Sequence, residues 1–392
     1  MLANRIKAIP PSPTLTITAK AKAMRAAGED VLSLAAGEPD FDAPEHVKEA
    51  AIKAIKEGFN KYTPVGGIPE LKEAIVNFVK REYGLGYDPE EVLVCCGGKQ
   101  ALYNLFQVIL NPGDEVIIPA PYWVSYPPIV LLAGGKPVII ETKEEESFKL
   151  NPQDLEAHIT PWTKALILNS PSNPTGSVYT KEELEAIAHI LKGKNIWIVS
   201  DDVYHKIILK DEIKWMCIAS IDEEIRKRTF IVNALSKTYS LTGWRIGYLI
   251  GSKEVIKAAT RLQSQSTSNP NSIAQKGAVA ALNGPQEFLQ TWVDAFKRRA
   301  NRLMEMLIEI PNLSCFEPQG AFYAFPNISA YFNKTITDSV KMAEYLLEEA
   351  KVAVVPGAAF GKEGFIRISF ATSLEVIEKA CQRLKKALEK LK

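Results

Sequence analysis

The chain has 392 residues, with 47 basic and 46 acidic side chains and a net charge of +1. That balance argues against a nucleic-acid binder, which needs a basic excess, and the length exceeds one ordinary core and predicts two domains. Five cysteines with no C-x-x-C pair fit reduced thiols and not a disulfide framework or zinc site, and the four scattered histidines predict no metal.

The stretch after Met1 has no apolar run of signal-peptide length, and no run elsewhere reaches the length of a membrane span. A cytoplasmic protein with no membrane partner is expected. Residues 5–28 predict a cap segment and a short helix. A short strand begins at Val31 and ends in the turn Gly37-Glu-Pro-Asp40. Asp42 is placed to cap the next helix, with Glu45 at the capping-box position. Residues 61–67 read as a loop, and Pro69 opens an amphipathic helix to residue 78.

From Glu91 short apolar runs alternate with helices. Strands are predicted at 92–95, 116–118, 138–140, 165–168, 196–199, 229–232 and 245–250. Helices are predicted at 101–110 and 123–132, and Thr180-Lys-Glu-Glu183 is a capping box for another. Apolar strands without period-two alternation predict a mostly parallel sheet covered on both faces, an α/β fold. Glu144–Glu146 reads as a solvated loop. A long helical region follows Pro270 and is broken near Asn283-Gly-Pro285. Strands at 321–325, 352–355 and 365–370, with helices at 338–349 and 373–391, predict a smaller α/β domain. The expected partition is 1–40 as the N-terminal segment of the small domain, 41–280 as the large domain and 281–392 as the C-terminal part of the small one.

Several residues stand where chemistry is possible. Lys237 lies at the break between two apolar runs, where a lysine can lose water and become a neutral amine; the commoner fate of a lysine is a solvated surface charge. Arg245 follows it between Gly243 and Gly247. Asp201 ends a very apolar strand, so its carboxylate can hold a cationic ring nitrogen or cap a helix. Tyr204 follows at Asp-x-x-Tyr spacing and is either a ligand or core. Asn173 is aimed by flanking prolines or forms an Asx turn. Gly97-Gly98-Lys99-Gln100 opens a helix, as a phosphate site or simply a tight turn; it matches neither a Walker loop nor a dinucleotide fingerprint. Arg367, mid-strand among apolar residues, needs a partner such as a substrate carboxylate unless its strand is an edge facing water. Trp123 can stack on an aromatic cofactor or belong to the core.

Taken together, Ala36-Gly-Glu-Pro-Asp40, Tyr62-Thr-Pro64, Gly97-Gly-Lys-Gln-Ala101, Pro121-Tyr-Trp123, Asn169-Ser-Pro-Ser-Asn-Pro-Thr-Gly176, Ser200-Asp-Asp-Val-Tyr204, Ser236-Lys237 with Gly243-Trp-Arg-Ile-Gly247, and Phe365-Ile-Arg-Ile-Ser369 resemble the class I, fold-type I aminotransferases that depend on pyridoxal 5′-phosphate. Within that family the chain is most similar to bacterial aspartate aminotransferases that carry Gly-Gly-Lys-Gln. The resemblance implies a seven-stranded, mostly parallel sheet between helices, with the cofactor in the large domain. It implies a homodimer with shared active sites, acting on amino acids and 2-oxo acids.

It also implies roles. Lys237 would be the Schiff-base lysine and proton shuttle. Asp201 would hold the pyridine nitrogen, Tyr204 and Asn173 the ring oxygen, and Trp123 the ring face. Gly98, Lys99, Ser236 and Arg245 would surround the phosphate, with Tyr62 reaching in from the partner subunit. Gly37 and Arg367 would bind the substrate α-carboxylate, with Trp123 and Asn173 beside the substrate. Ala234 stands where the family usually has Ser or Gly, and Asp202 where it commonly has glutamate. Ser264 occupies the place of the arginine that grips a side-chain carboxylate in other aspartate enzymes, which leaves Lys99 for that task. Members that accept prephenate carry a lysine at the position of Pro10, which ranks prephenate below aspartate. The alternatives are a broad-range, aromatic or prephenate aminotransferase and, remotely, an aminotransferase-like regulator, for which the chain leaves no room for a DNA-binding segment.

Overall fold

The computed structural model describes residues 2–9, 11 and 13–391, so Pro10 lies outside the described residues. Strand β1 (Leu32–Ser33) precedes a seven-stranded sheet of β2 (Val92–Cys95), β3 (Glu115–Ala120), β4 (Lys136–Glu141), β5 (Thr163–Asn169), β6 (Trp197–Asp201), β7 (Thr229–Ala234) and β8 (Gly247–Ile250). Four short strands follow: β9 (Tyr323–Ala324), β10 (Val352–Ala353), β11 (Val355–Pro356) and β12 (Ile366–Ser369). The large sheet has the order β2-β8-β7-β6-β5-β3-β4. Its β8 runs antiparallel to both neighbours and the remaining pairs are parallel.

The sequence pattern follows from this layering. β2, β7 and β8 are buried at every position, so they read as unbroken apolar runs. The edge strand β4 exposes Lys136, Ile139 and Glu141. One face is covered by the helix Gly98–Ile109, whose Leu102, Leu105 and Phe106 pack with Val232 and Leu249. The helices Pro69–Tyr83 and Ser272–Asn283 cover the other, where Ile75 and Phe78 join Val94, Ile231 and Tyr248. Burying each such side chain contributes about 1.5–3 kcal/mol. A further apolar cluster joins Ile17, Ala21 and Leu34 to Phe296, Leu303, Leu346 and Ile377, around the sheet β11-β12-β9 and the pair β1–β10.

Three local expectations are corrected. The helix after Asp42 starts at Glu45 with Pro44 at its cap position; Asp42 instead accepts from the Ala43 N–H at 2.7 Å and pairs with Lys48 at 2.8 Å. The helix expected from residue 123 is Tyr126–Leu132, because Pro127 and Pro128 are tolerated only in a first turn. The strand expected from residue 245 begins at Gly247, because Arg245 adopts a left-handed backbone (φ 56°) that no strand continues. The capping box at Thr180 and the break between the helices Ser272–Asn283 and Phe288–Ile308 are as predicted.

Candidate active site

The parallel register sets Asn169 beside Asp201, and Asp201 beside Val232, at the carboxyl ends of β5, β6 and β7. A cleft of about 830 Å³ opens beyond these ends, where parallel sheets bind ligands. After β7 the single helical turn Leu235–Thr238 carries Ser236 and Lys237 into it. Lys237 is half-buried, and its Nζ donates to the Gly37 carbonyl. Desolvation brings the amine's pKa down to about 8; Glu38 opposes this, and Arg367 and Arg245 reinforce it. A neutral, nucleophilic amine is therefore available close to physiological pH.

Asp201 is a strand terminus and not a helix cap. It is 6% exposed. Its Oδ2 accepts from the Tyr126 hydroxyl at 2.6 Å, while Oδ1 has only a long 3.4 Å contact from the Val203 N–H. Burial raises its pKa to about 6, against the opposing effect of these two bonds, so it remains a carboxylate at neutral pH. Asp202 does not line the cleft. The Ser200 hydroxyl donates to it at 2.6 Å, and burial raises its pKa to about 7.

Arg367 lies on the central strand β12 of its sheet and is 4% exposed, which removes the water-facing reading. Its Nη1 donates to Asn173 Oδ1 at 3.0 Å and its Nη2 to the Ala35 carbonyl at 2.9 Å. The guanidinium sits 4.4 Å from the Tyr323 ring centroid. Its Nε has no partner, and among the described residues no acidic side chain pairs with it. A buried guanidinium in this state is built to take a carboxylate. The Asn173 backbone N–H donates to Asn169 Oδ1 at 2.9 Å, which anchors the main chain that presents the side-chain Oδ1 to Arg367. The Tyr204 hydroxyl shares a 2.9 Å hydrogen bond with that of Tyr323.

The other end of the cleft suits an anion. Gly97 (φ 85°) leads into the uncapped N-terminus of Gly98–Ile109. A Cβ on Gly97 would stand 2.5 Å from Arg245 Nη2, and one on Gly247 would stand 2.4 Å from the Gly98 nitrogen. Arg245 donates to the Thr242 carbonyl at 3.0 Å and the Cys96 carbonyl at 3.2 Å. Guanidinium, helix N-terminus and Ser236 thus converge on one corner. Lys99 extends over Trp123, with Nζ 5.0 Å from the ring centroid, and burial lowers its pKa, reinforced by Arg245. Gly37 also lines the cleft. Tyr62 does not; it is 91% exposed. Among the described residues no acidic, His or Cys cluster could hold a metal, and no helix is long and apolar enough to cross a membrane.

A family model, aminotransferase class I and II, matches residues 29–384. The chain belongs to this family. The aminotransferase is 51% identical over 390 residues to the aspartate aminotransferase of Bacillus subtilis, covering 99% of each chain. It is 52% identical over 390 residues to the aspartate/prephenate aminotransferase of Cereibacter sphaeroides, covering 98% of this chain and 97% of that one. Among solved structures, the aspartate aminotransferase of Rhizobium meliloti matches with a TM-score of 0.95 at 44% identity, over 99% of each chain. That of Thermus thermophilus, solved with maleate, matches with a TM-score of 0.94 at 46% identity, again over 99% of each.

The structure of the aminotransferase adds residues that sequence reasoning passed over. Tyr126 holds Asp201, and Tyr323 supports both Tyr204 and Arg367. Tyr126→Phe keeps the packing and removes one charge-assisted hydrogen bond. A fall of about tenfold in kcat with KM little changed is expected, and an unchanged kcat would contradict a role for that bond.

Proposed function

We propose that the aminotransferase binds pyridoxal 5′-phosphate in the cleft and moves the amino group of L-aspartate to 2-oxoglutarate, giving oxaloacetate and L-glutamate in a ping-pong cycle. One observation carries the reading: a lysine of lowered proton affinity shares the cleft with a buried carboxylate and with two guanidiniums that no described acidic side chain pairs. A phosphate, a cationic ring nitrogen and a substrate carboxylate are the charges this set lacks, so the residues fit the group. Ser236, Arg245 and the backbone N–H groups of Gly98 and Lys99 at the helix N-terminus would hold the phosphate, with no hydroxyl from Ala234, which leaves the Lys99 side chain for the substrate. Asp201 would hold the ring nitrogen, Asn173 and Tyr204 the ring oxygen, and Trp123 the ring face.

When bound, the cofactor supplies an electron sink for the charge left at the substrate α-carbon. The remaining work falls to the chain. Arg367 and Gly37 bind the α-carboxylate and so orient the bond to be broken. Asn173 and Tyr323 keep the Arg367 fork from turning. Lys237, as a neutral amine, takes the α-proton at Nζ and delivers it within the same cleft.

The side-chain carboxylate falls to Lys99, which reaches over Trp123. Lys99→Ala is expected to raise KM for aspartate at least about tenfold and to leave KM for alanine nearly unchanged. Equal effects on both would remove Lys99 from side-chain recognition. A second reading, transamination with prephenate, is supported by the similarity to the Cereibacter sphaeroides enzyme. A panel of amino donors and oxo-acid acceptors that includes prephenate separates these readings and covers broad-range and aromatic activity. No turnover with any pair would favour the regulator instead.

We also infer a homodimer with shared sites, because Tyr62 stands clear of its own chain and the helix Glu45–Lys56 exposes Ile52 and Ile55, and we expect it in the cytoplasm. A monomer in sedimentation would contradict it. We infer the partition into 1–40 with 281–392 as one domain and 41–280 as the other; the apolar cluster around β11-β12-β9 supports it, although Phe148, Tyr204, Ile207 and Leu209 join that cluster and Ala281 and Leu282 pack with the large sheet, and proteolysis that releases neither unit would count against it.

A further inference from the structure

We propose that Glu38, held by Thr242, is a positioning residue: the counter-ion that stabilises the ammonium form of Lys237. The inference rests on the reading of Lys237 as the reacting amine. Two contacts clamp the N-terminal turn to the lysine loop side by side. Lys237 Nζ donates to the carbonyl of Gly37, and the Thr242 hydroxyl donates to the carboxylate of the next residue, Glu38, at 2.8 Å. A third, from the Ser240 hydroxyl to the Phe41 carbonyl, closes the same strap. These three contacts hold residues 37–41 against residues 237–242 and bring the exposed Glu38 carboxylate to the lysine loop.

A proton shuttle must be able to hold the proton it takes. The charged and titratable groups that line the cleft with Lys237 are Arg245 on its own loop, Arg367 on β12, Lys99 on the helix Gly98–Ile109, Asp201 on β6, and the phenols of Tyr122, Tyr126, Tyr204 and Tyr323. Three of these are cations, and burial also disfavours the ammonium. Asp201 is engaged by Tyr126. Among the described residues Glu38 is the acid whose charge favours the ammonium of Lys237, and it also acts on Tyr323. Arg367 is neutralised once a substrate carboxylate binds, and Glu38 then weighs more heavily.

The test is competitive acylation of the full-length protein, freed of cofactor, with acetic anhydride across about pH 6 to 10, the modified fraction at Lys237 being read by peptide mass spectrometry. The wild type is expected to titrate with a midpoint near 8. Glu38→Gln removes the negative charge, so the amine releases its proton more readily and the midpoint falls by about half a pH unit. Glu38→Asp should recover part of the shift, and Thr242→Val, which frees the carboxylate, should reproduce part of the loss. A Glu38→Gln midpoint equal to that of the wild type overturns the proposal. A wild-type midpoint at the ordinary lysine value overturns the reading of Lys237 beneath it.

Discussion

Replacing Lys237 by alanine is expected to leave the fold standing and to lower turnover by at least about 10⁴-fold. Stability is spared because the side chain sits at the wall of an open cleft and its amine bonds only the Gly37 carbonyl, which can turn to water. Truncation also relieves the cost of desolvating a cation. Activity is lost because no other group replaces the amine. Lys99 points at Trp123, and Arg245 and Arg367 carry guanidiniums and not amines. The phosphate corner does not depend on the lysine, so the variant should still bind the cofactor. Aspartate-dependent oxaloacetate formation, measured beside the denaturation midpoint, checks both halves. Activity within a hundredfold of the wild type would reject the role.

Arg367→Ala is expected to lower kcat/KM by about 30- to several-thousandfold for every amino acid and oxo acid tested, the equivalent of losing roughly 2–5 kcal/mol of buried charge-pair recognition. The uniformity is the diagnostic part, since each substrate carries the α-carboxylate. Arg367→Lys should not restore the rate. A compact ammonium cannot bond Asn173 Oδ1, the Ala35 carbonyl and a carboxylate at once in the planar fork that the guanidinium provides. A loss confined to dicarboxylates would move Arg367 to the far end of the substrate and leave the α-carboxylate without a partner. The contrast with Lys99→Ala, whose effect is expected only for side-chain acids, makes the pair informative together.

Three of the groups legible in the sequence share one property: each sits at a junction between an apolar run and a polar turn. Asp201 follows Trp197-Ile-Val-Ser200, Lys237 follows Thr229–Ala234, and Gly97-Gly98 follows Val92–Cys95. In a parallel sheet those junctions gather at one edge, so local pattern alone brings distant residues together. Groups that act through side-chain contacts across the fold leave no such trace. The hydroxyl that holds Asp201 lies 75 positions earlier, and the carboxylate that Thr242 binds lies 204 positions away. Backbone detail was lost where one residue overrode its neighbours. The left-handed Arg245 ends what reads as the start of a strand, and the paired prolines after Tyr126 delay a helix that periodicity begins at Trp123. Tyr62 is a different case, since no part of its own chain covers it.

The most direct test of the central claim is a single half-reaction. The protein loaded with pyridoxal 5′-phosphate is mixed with L-aspartate in the absence of any oxo acid, and oxaloacetate is counted against chains while the visible absorbance is followed. The expected result is about one oxaloacetate per chain with loss of the yellow colour, and its return when 2-oxoglutarate is added. Unchanged absorbance with no oxaloacetate would contradict the assignment.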